Sequence, residues 1–199
     1  MKQSRPELAS AHYEEYFRQV VAHPDERPEA KTLVPVLLEF GALNSRLGRN
    51  NLALMNYDFA VKMAQQAERP DLESQAYDAA AQLEAKLELA FQAARSYQRM
   101  IALDAAGNDQ RNQARDWFNY GQFLRQRHLA SLAYACFLKS EELFRAAPPS
   151  PELKTATEVR QQLETELGKQ SFAVRRDLPG ALAQASALEQ KDFSKESGN

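Results

Sequence analysis

The side chains best suited to metal binding or nucleophilic chemistry are three histidines and one cysteine. His12, His23 and His128 include no pair at the spacing that puts two imidazoles on one helix face. Cys136 has no second thiol with which to hold zinc or close a disulfide. Its neighbours Tyr134, Ala135, Phe137 and Leu138 are apolar, which raises a thiol pKa, so Cys136 reads as a packing residue. Asp104, Asn108 and Asp109 surround Gly107 but lack the alternating oxygens and closing Glu of a calcium loop; a helix end followed by a cap accounts for them. His128 falls at an expected turn between helices, and Glu141 and Glu142, being adjacent on a helix, point apart rather than form an acid/base pair. No cofactor is implied, since seven glycines are scattered without a phosphate-cradling loop. The sequence therefore reads as non-catalytic.

Composition says which elements carry these residues. The chain of 199 residues has 32 Ala and 24 Leu but only 12 β-branched residues, too few to furnish a sheet. An all-α fold is expected. The formal net charge of -2 gives no field for nucleic acid. The longest uninterrupted apolar stretch, 33–38, contains a proline and falls far short of the ~20 residues of a spanning helix. Residues 1–12 have no apolar core, so they do not read as a signal peptide, and the expected compartment is the cytoplasm; a piece of a longer exported or anchored protein is the alternative.

Sliding the chain along itself reveals an offset of 40 residues. Gly41, Ala81 and Gly121 align, as do Phe40, Ala80 and Tyr120; then Ala53, Ala93 and Ala133, and Tyr57, Tyr97 and Phe137. Each unit reads as two helices. The small residue of the first lets the second approach, and the aromatic sixteen positions later fills the space between them. The predicted pairs are 33–47 with 51–67, 72–86 with 89–103, and 110–127 with 130–145. Gly48 is expected to end a helix in the left-handed conformation, and Asp109 to cap the next one.

These positions resemble the tetratricopeptide repeat, whose pattern of about 34 residues has Trp-x-x-Leu-Gly-x-x-Tyr in the first helix and Ala-x-x-x-Phe in the second. The third unit carries Trp117, Tyr120, Gly121, Leu124, Ala133 and Phe137; the first carries Leu37, Phe40, Gly41, Ala53, Tyr57 and Ala60, with a polar departure at Asn44. The second retains Tyr77, Ala80, Ala81, Ala93 and Tyr97 but departs at Glu84 and Met100. The resemblance covers about 34–147, and the longer period suggests a long-looped version of the repeat. It implies a right-handed superhelix of antiparallel helix pairs, an α-solenoid.

The expected organisation is one helical domain over 1–168: a lone helix at 7–22, repeats at 34–73, 74–113 and 114–149, and a capping helix at 151–167. Phe17 and Val20 stand forty residues before Tyr57 and Ala60, which is why the first helix reads as a second-type helix without its mate. The tail, 169–199, is expected to hold a short helix at 181–190 and a disordered end, 191–199.

In this family the first helices line a concave groove. The resemblance places Leu38, Ala42 and Arg46 there from the first unit, with Ser45 beside them, and Asp78, Gln82 and Lys86 from the second, with Gln75. The third unit supplies Arg115, Phe118, Asn119, Gln122 and Arg125. The implied partner is a protein or peptide segment that carries carboxylates for the Arg and Lys side chains and a hydrophobic anchor. Members that clamp the acidic tails of chaperones need charged or amide residues where this chain has Leu38, Ala42, Ala79, Arg115 and Asn119; only Arg115 retains the charge, so a clamp of that type is not expected. The expected function is a protein–protein interaction adaptor. The alternative is a self-assembling structural module, a homo-oligomer through the terminal helices.

Overall fold

The computed structural model describes residues 5–193. Among them every regular element is helical, and they divide into two compact units, the first ending at Leu87 and the second beginning at Glu88. The first unit contains α1 (Arg5–Ala22), a short 3-10 turn (Pro24–Glu26), α2 (Ala30–Arg46), α3 (Asn50–Gln66) and α4 (Pro70–Lys86). The second contains α5 (Ala90–Ala106), α6 (Gln110–Gln126), α7 (Ala130–Ala146), α8 (Pro151–Leu167), α9 (Lys169–Arg176), α10 (Leu178–Ser186) and α11 (Gln190–Phe193).

The forty-residue period resolves into halves of twenty. Each helix from α2 to α7 has 17 residues, and three-residue linkers join them. The middle residue of every such linker has positive φ: Gly48 at 74°, Glu68 at 51°, Glu88 at 59°, Asn108 at 57° and His128 at 57°. One left-handed residue reverses the chain while the next amide reaches back five residues, as Arg49 N–H does to the Asn44 carbonyl (2.8 Å) and Leu129 N–H to that of Leu124 (3.0 Å). Only the first of these positions is glycine. A side chain in this conformation costs about 1–2 kcal/mol, an expense imposed by the packing of the helices on either side. The expectation of long loops is therefore corrected: the extra length of the repeat lies in the helices. The helices α2, α3 and α4 begin one to three residues earlier than predicted. Pro35 sits in the second turn of α2, which opens at Ala30 with Thr32 and Leu33 N–H bonded to the Glu29 carbonyl.

Within the first unit α2 packs along α3, and α3 along α4. Leu33, Val34 and Leu37 of α2 meet Ala60, Val61 and Ala64 of α3 and Leu72 and Ala76 of α4 in one apolar cluster, with Phe17 of α1 against its edge. Gly41 backs directly onto the Tyr57 ring, and in the second unit Gly121 of α6 backs onto Phe137 of α7, so the expected small-to-aromatic contact is realised in both. The repeat register reaches α1. Phe17 stacks on Phe40 at 5.6 Å between centroids, and eighty residues on Tyr97 stacks on Tyr120 at 5.7 Å.

The C-terminal segment departs from expectation. Instead of one short helix at 181–190, three helices occupy 169–193, and α9 and α10 pack on α7 while α11 packs on α5. Tyr120 Oη donates to the Ala185 carbonyl at 2.6 Å and Gln98 Nε2 donates to the same oxygen at 3.1 Å, tying the end of α10 to α5 and α6. The segment is part of the second unit, not an appendage. Of the end expected to be disordered, 191–193 belongs to α11, and 194–199 lies outside the described residues.

Candidate functional site

The first-unit members of the expected groove come together. Leu38, Ala42 and Arg46 lie on one stripe of α2, and Asp78, Gln82 and Lys86 on the matching stripe of α4. All six line a single cavity of about 870 Å³. The spacing of four residues produces each stripe, and the forty-residue register sets the stripes side by side, Leu38 with Asp78, Ala42 with Gln82, Arg46 with Lys86. Ser45 joins them as expected; Gln75 is not among the lining residues. The floor is apolar: Leu43 and Leu83 are buried beneath it, with Tyr57 of α3 and Ala79 of α4. Small residues at Ala42 and Ala79 leave the cavity open above that floor.

Charge divides the cavity along its length. Arg46 and Lys86 occupy the last turns of α2 and α4, and neither is paired with a carboxylate among the described residues. The carboxylates are engaged. Glu39 accepts a hydrogen bond from Tyr13 Oη at 2.8 Å, and Asp78 accepts from Gln82 Nε2 at 2.9 Å. Bonding to Glu39, with partial burial, raises the Tyr13 pKa above its ordinary 10.0, although the Arg46 charge pulls in the opposite direction. The cations at one end are thus available to a ligand, while the acids at the other serve the protein itself.

Two lining residues, Ala9 and Tyr13, come from α1 and were absent from the expected groove. A signal for Tyr13 exists. It stands forty residues before Ala53, and Ala53, Ala93 and Ala133 are fully buried where α1 has a large, partly exposed phenol. The ring stacks on Phe40 at 5.2 Å, which aims the hydroxyl at Glu39.

The second-unit members fare differently. Arg115 donates to Glu152 Oε1 at 2.7 Å and Arg125 to Glu166 Oε1 at 2.8 Å, so these two guanidinium groups of α6 are bound to α8. The Arg115 guanidinium, assisted by the Glu152 backbone amide, holds the Glu152 carboxyl down at about 2. Phe118 is half-buried against the Phe137 ring at 5.5 Å, and Asn119 and Gln122 are half-buried on the same helix. The sequence could not separate these arginines from Arg46 and Lys86, because their carboxylate partners lie 37 and 41 residues away on a helix read only as a cap.

The remaining candidates for chemistry serve structural ends. Cys136 is fully buried, and burial pushes its thiol pKa upward. His128 is an exposed linker residue whose amide bonds the Arg125 carbonyl. Asp109 caps α6, accepting from Asn112 N–H and Asn112 Nδ2, each at 3.0 Å. Glu141 is buried and accepts from Arg160, Arg145 and Thr157, while Glu142 is exposed and pairs with Lys139. No group of three His, Cys, Asp or Glu side chains that could hold a metal is found among the described residues, and no helix there is long and apolar enough to cross a membrane. No family model matches this chain, and no curated protein matches it.

Proposed function

We propose that this chain is a non-catalytic, tetratricopeptide-like adaptor that binds a segment of another protein in the cavity between α2 and α4. The observation that carries the reading is the gathering of Leu38, Ala42, Arg46, Asp78, Gln82 and Lys86 around one cavity, with neither cation paired with a carboxylate among the described residues. A partner side chain of apolar character fills the space over Leu43 and Leu83, and a carboxylate of the same segment meets Arg46 and Lys86. In this reading Ser45 Oγ and the side-chain carbonyl of Gln82, whose Nε2 is bonded to Asp78, bond its backbone. Binding holds two proteins together and asks for no bond to be made or broken.

The paired state of Arg115 and Arg125 narrows the proposal to the first unit. An acidic ligand there would have to displace Glu152 and Glu166 before gaining anything. The alternative is self-assembly through the terminal helices; in the C-terminal segment Val174, Ala185 and Leu188 are buried by this chain's own helices, whereas Phe172 there and Leu8 and Val21 of α1 are exposed.

Selection of peptides from a random displayed library against the whole protein tests the proposal. Selected sequences are expected to combine an apolar residue with Asp, Glu or a free C-terminus, and to lose binding by about tenfold or more to an Arg46→Glu, Lys86→Glu variant of unchanged helical circular dichroism. Selected ligands that bind the variant equally well would overturn it.

A further inference from the structure

Leu138, Glu141, Glu142 and Arg145 of α7 follow one another at spacings of three and four, which puts them on one face of the helix. With Arg160 of α8 and Arg175 of α9 they line a cavity of about 350 Å³ within the second unit. That volume lies at the small end of ligand sites, which run from about 300 to 1,000 Å³.

Three guanidinium groups thus reach the cavity from three helices, and two carboxylates fix them in place. Arg145 Nη2 donates to Glu141 Oε1 at 2.6 Å and Arg160 Nε to Glu141 Oε2 at 2.8 Å. Arg160 Nη1 in turn donates to Glu164 Oε2, and the other oxygen of that carboxylate accepts from Arg175 Nη2 at 2.7 Å. The charges alternate in a chain that begins and ends on arginine, so one positive charge is left over. Glu142 does not cancel it, because Lys139 donates to Glu142 at 2.9 Å. Arg115 and Arg125 differ, each being bound to a carboxylate of its own.

Hydrogen-bond donors are left over as well. Arg160 is only 8% exposed, yet its Nη2 has no hydrogen-bond partner among the described residues and is not sealed from solvent. A buried guanidinium with an unbonded edge is costly unless water or a ligand meets that edge. Arg175 donates through Nε to Tyr134 Oη at 2.7 Å, which anchors a second fork beside the first.

We propose that this cavity binds a phosphate group, either the free ion or the monoester of a small molecule. A tetrahedral phosphate turns oxygens in several directions and can meet forks that arrive from three helices, whereas a planar carboxylate offers two oxygens in one plane. The surplus guanidinium charge attracts the anion. Glu141 and Glu164 hold the forks before it arrives, so little side-chain freedom remains to be lost on binding. The site uses neither Arg46 nor Lys86, and its fate does not depend on the function of the cavity between α2 and α4.

The test titrates inorganic phosphate and glycerol phosphate, with acetate as the control, into the full-length protein at an ionic strength of about 0.15 M, where exposed charges are screened. The side-chain Nε–H resonances of Arg160 and Arg175 are expected to shift saturably with phosphate and not with acetate, and the tighter of the two phosphates tells the free ion from the ester. Arg145→Gln is expected to weaken binding about tenfold or more. Its side chain is 64% exposed, and Glu141 keeps its bonds from Arg160 and Thr157, so the variant is expected to fold, which its melting checks. The Arg46→Glu, Lys86→Glu variant is expected to bind phosphate as the native protein does. No saturable shift, an equal response to acetate, or full binding by folded Arg145→Gln overturns the proposal. Loss of binding in the Arg46→Glu, Lys86→Glu variant also overturns it, because the ion would then sit in the first unit.

Discussion

The approach of α6 to α7 depends on the missing side chain at Gly121, and the cost of restoring one can be worked out. A Cβ on Gly121 would lie 2.8 Å from Phe137 Cε1, 3.0 Å from Cδ1 and 3.2 Å from the Cys136 Cβ, whereas carbon atoms rest at about 3.5–4.0 Å. Phe137 cannot yield, being fully buried with its ring against Phe118. Gly121→Leu adds three further carbons at the same place. Overpacking of this kind costs about 3 kcal/mol at its upper end, and replacing glycine inside a helix returns about 1 kcal/mol. The balance is a loss of about 2 kcal/mol, or roughly 4–8 °C in melting temperature for a chain of this length. Urea unfolding followed by the fluorescence of Trp117, the single tryptophan and one turn from the substitution, reads the effect in the second unit. Phe137→Leu in the same chain removes the ring atoms that collide, so the double variant is expected to be at least about 1 kcal/mol more stable than the two single losses predict. Gly121→Leu with unchanged stability, or a loss that shows no coupling to Phe137→Leu, would refute the assigned packing.

Two further outcomes follow from the second unit. The Glu152 carboxyl is held near 2 by Arg115, below its ordinary 4.5, so its contribution to stability is complete above about pH 4.5 and disappears as pH falls toward 2. The urea midpoint of the native protein is expected to fall across that window more steeply than that of Arg115→Gln, and parallel declines would show that the pair contributes nothing. Tyr120→Phe removes the hydroxyl that bonds the Ala185 carbonyl and leaves Gln98 as its remaining donor. A cost of about 1 kcal/mol is expected, together with faster amide hydrogen exchange across α10; unaltered exchange there would mean that the hydrogen bond does not hold the segment down.

Much of the fold was legible because packing requirements recur in the sequence. Gly41 and Gly121 had to be small, Tyr57 and Phe137 had to be large, and alternation at a fixed period records both constraints. What stayed hidden was whatever the period does not carry. Glu68 and Glu88 occupy the left-handed linker position that Gly48 announces openly, and a glutamate gives no sign of such a conformation. Asn44 is another such case. It departs from the repeat, stands where the third unit has the fully buried Leu124, and is itself fully buried with neither amide atom hydrogen-bonded. Beyond Gly168 the sequence marks one helix, at 181–190, where α10 spans Leu178–Ser186; α9 and α11 leave no mark in the period because they pack on α7 and α5, not on a neighbour one repeat away.

The same reasoning separates the basic residues of the expected groove that are paired from those that are not paired with a carboxylate among the described residues. Repeat position alone placed Arg46, Lys86, Arg115 and Arg125 on equivalent faces, and all four are basic side chains on first helices. Their difference arises from what each helix faces next. Glu152 and Glu166 of α8 stand opposite Arg115 and Arg125 and neutralise them, whereas the neighbours available to Arg46 and Lys86 in the first unit are Glu39 and Asp78, which hydrogen-bond Tyr13 and Gln82 instead. A hydrogen bond from a neutral phenol or amide leaves the carboxylate charged without satisfying either cation. The first unit therefore retains two cations and an open apolar floor in one cavity, the pairing of attractions that an acidic segment with an apolar anchor requires. Replacing Tyr13 with Phe would release Glu39 from the phenol. With Glu39 free to turn toward Arg46, the proposed binding of an acidic segment is expected to weaken, and unaltered affinity of library-selected peptides for Tyr13→Phe would count against the reading.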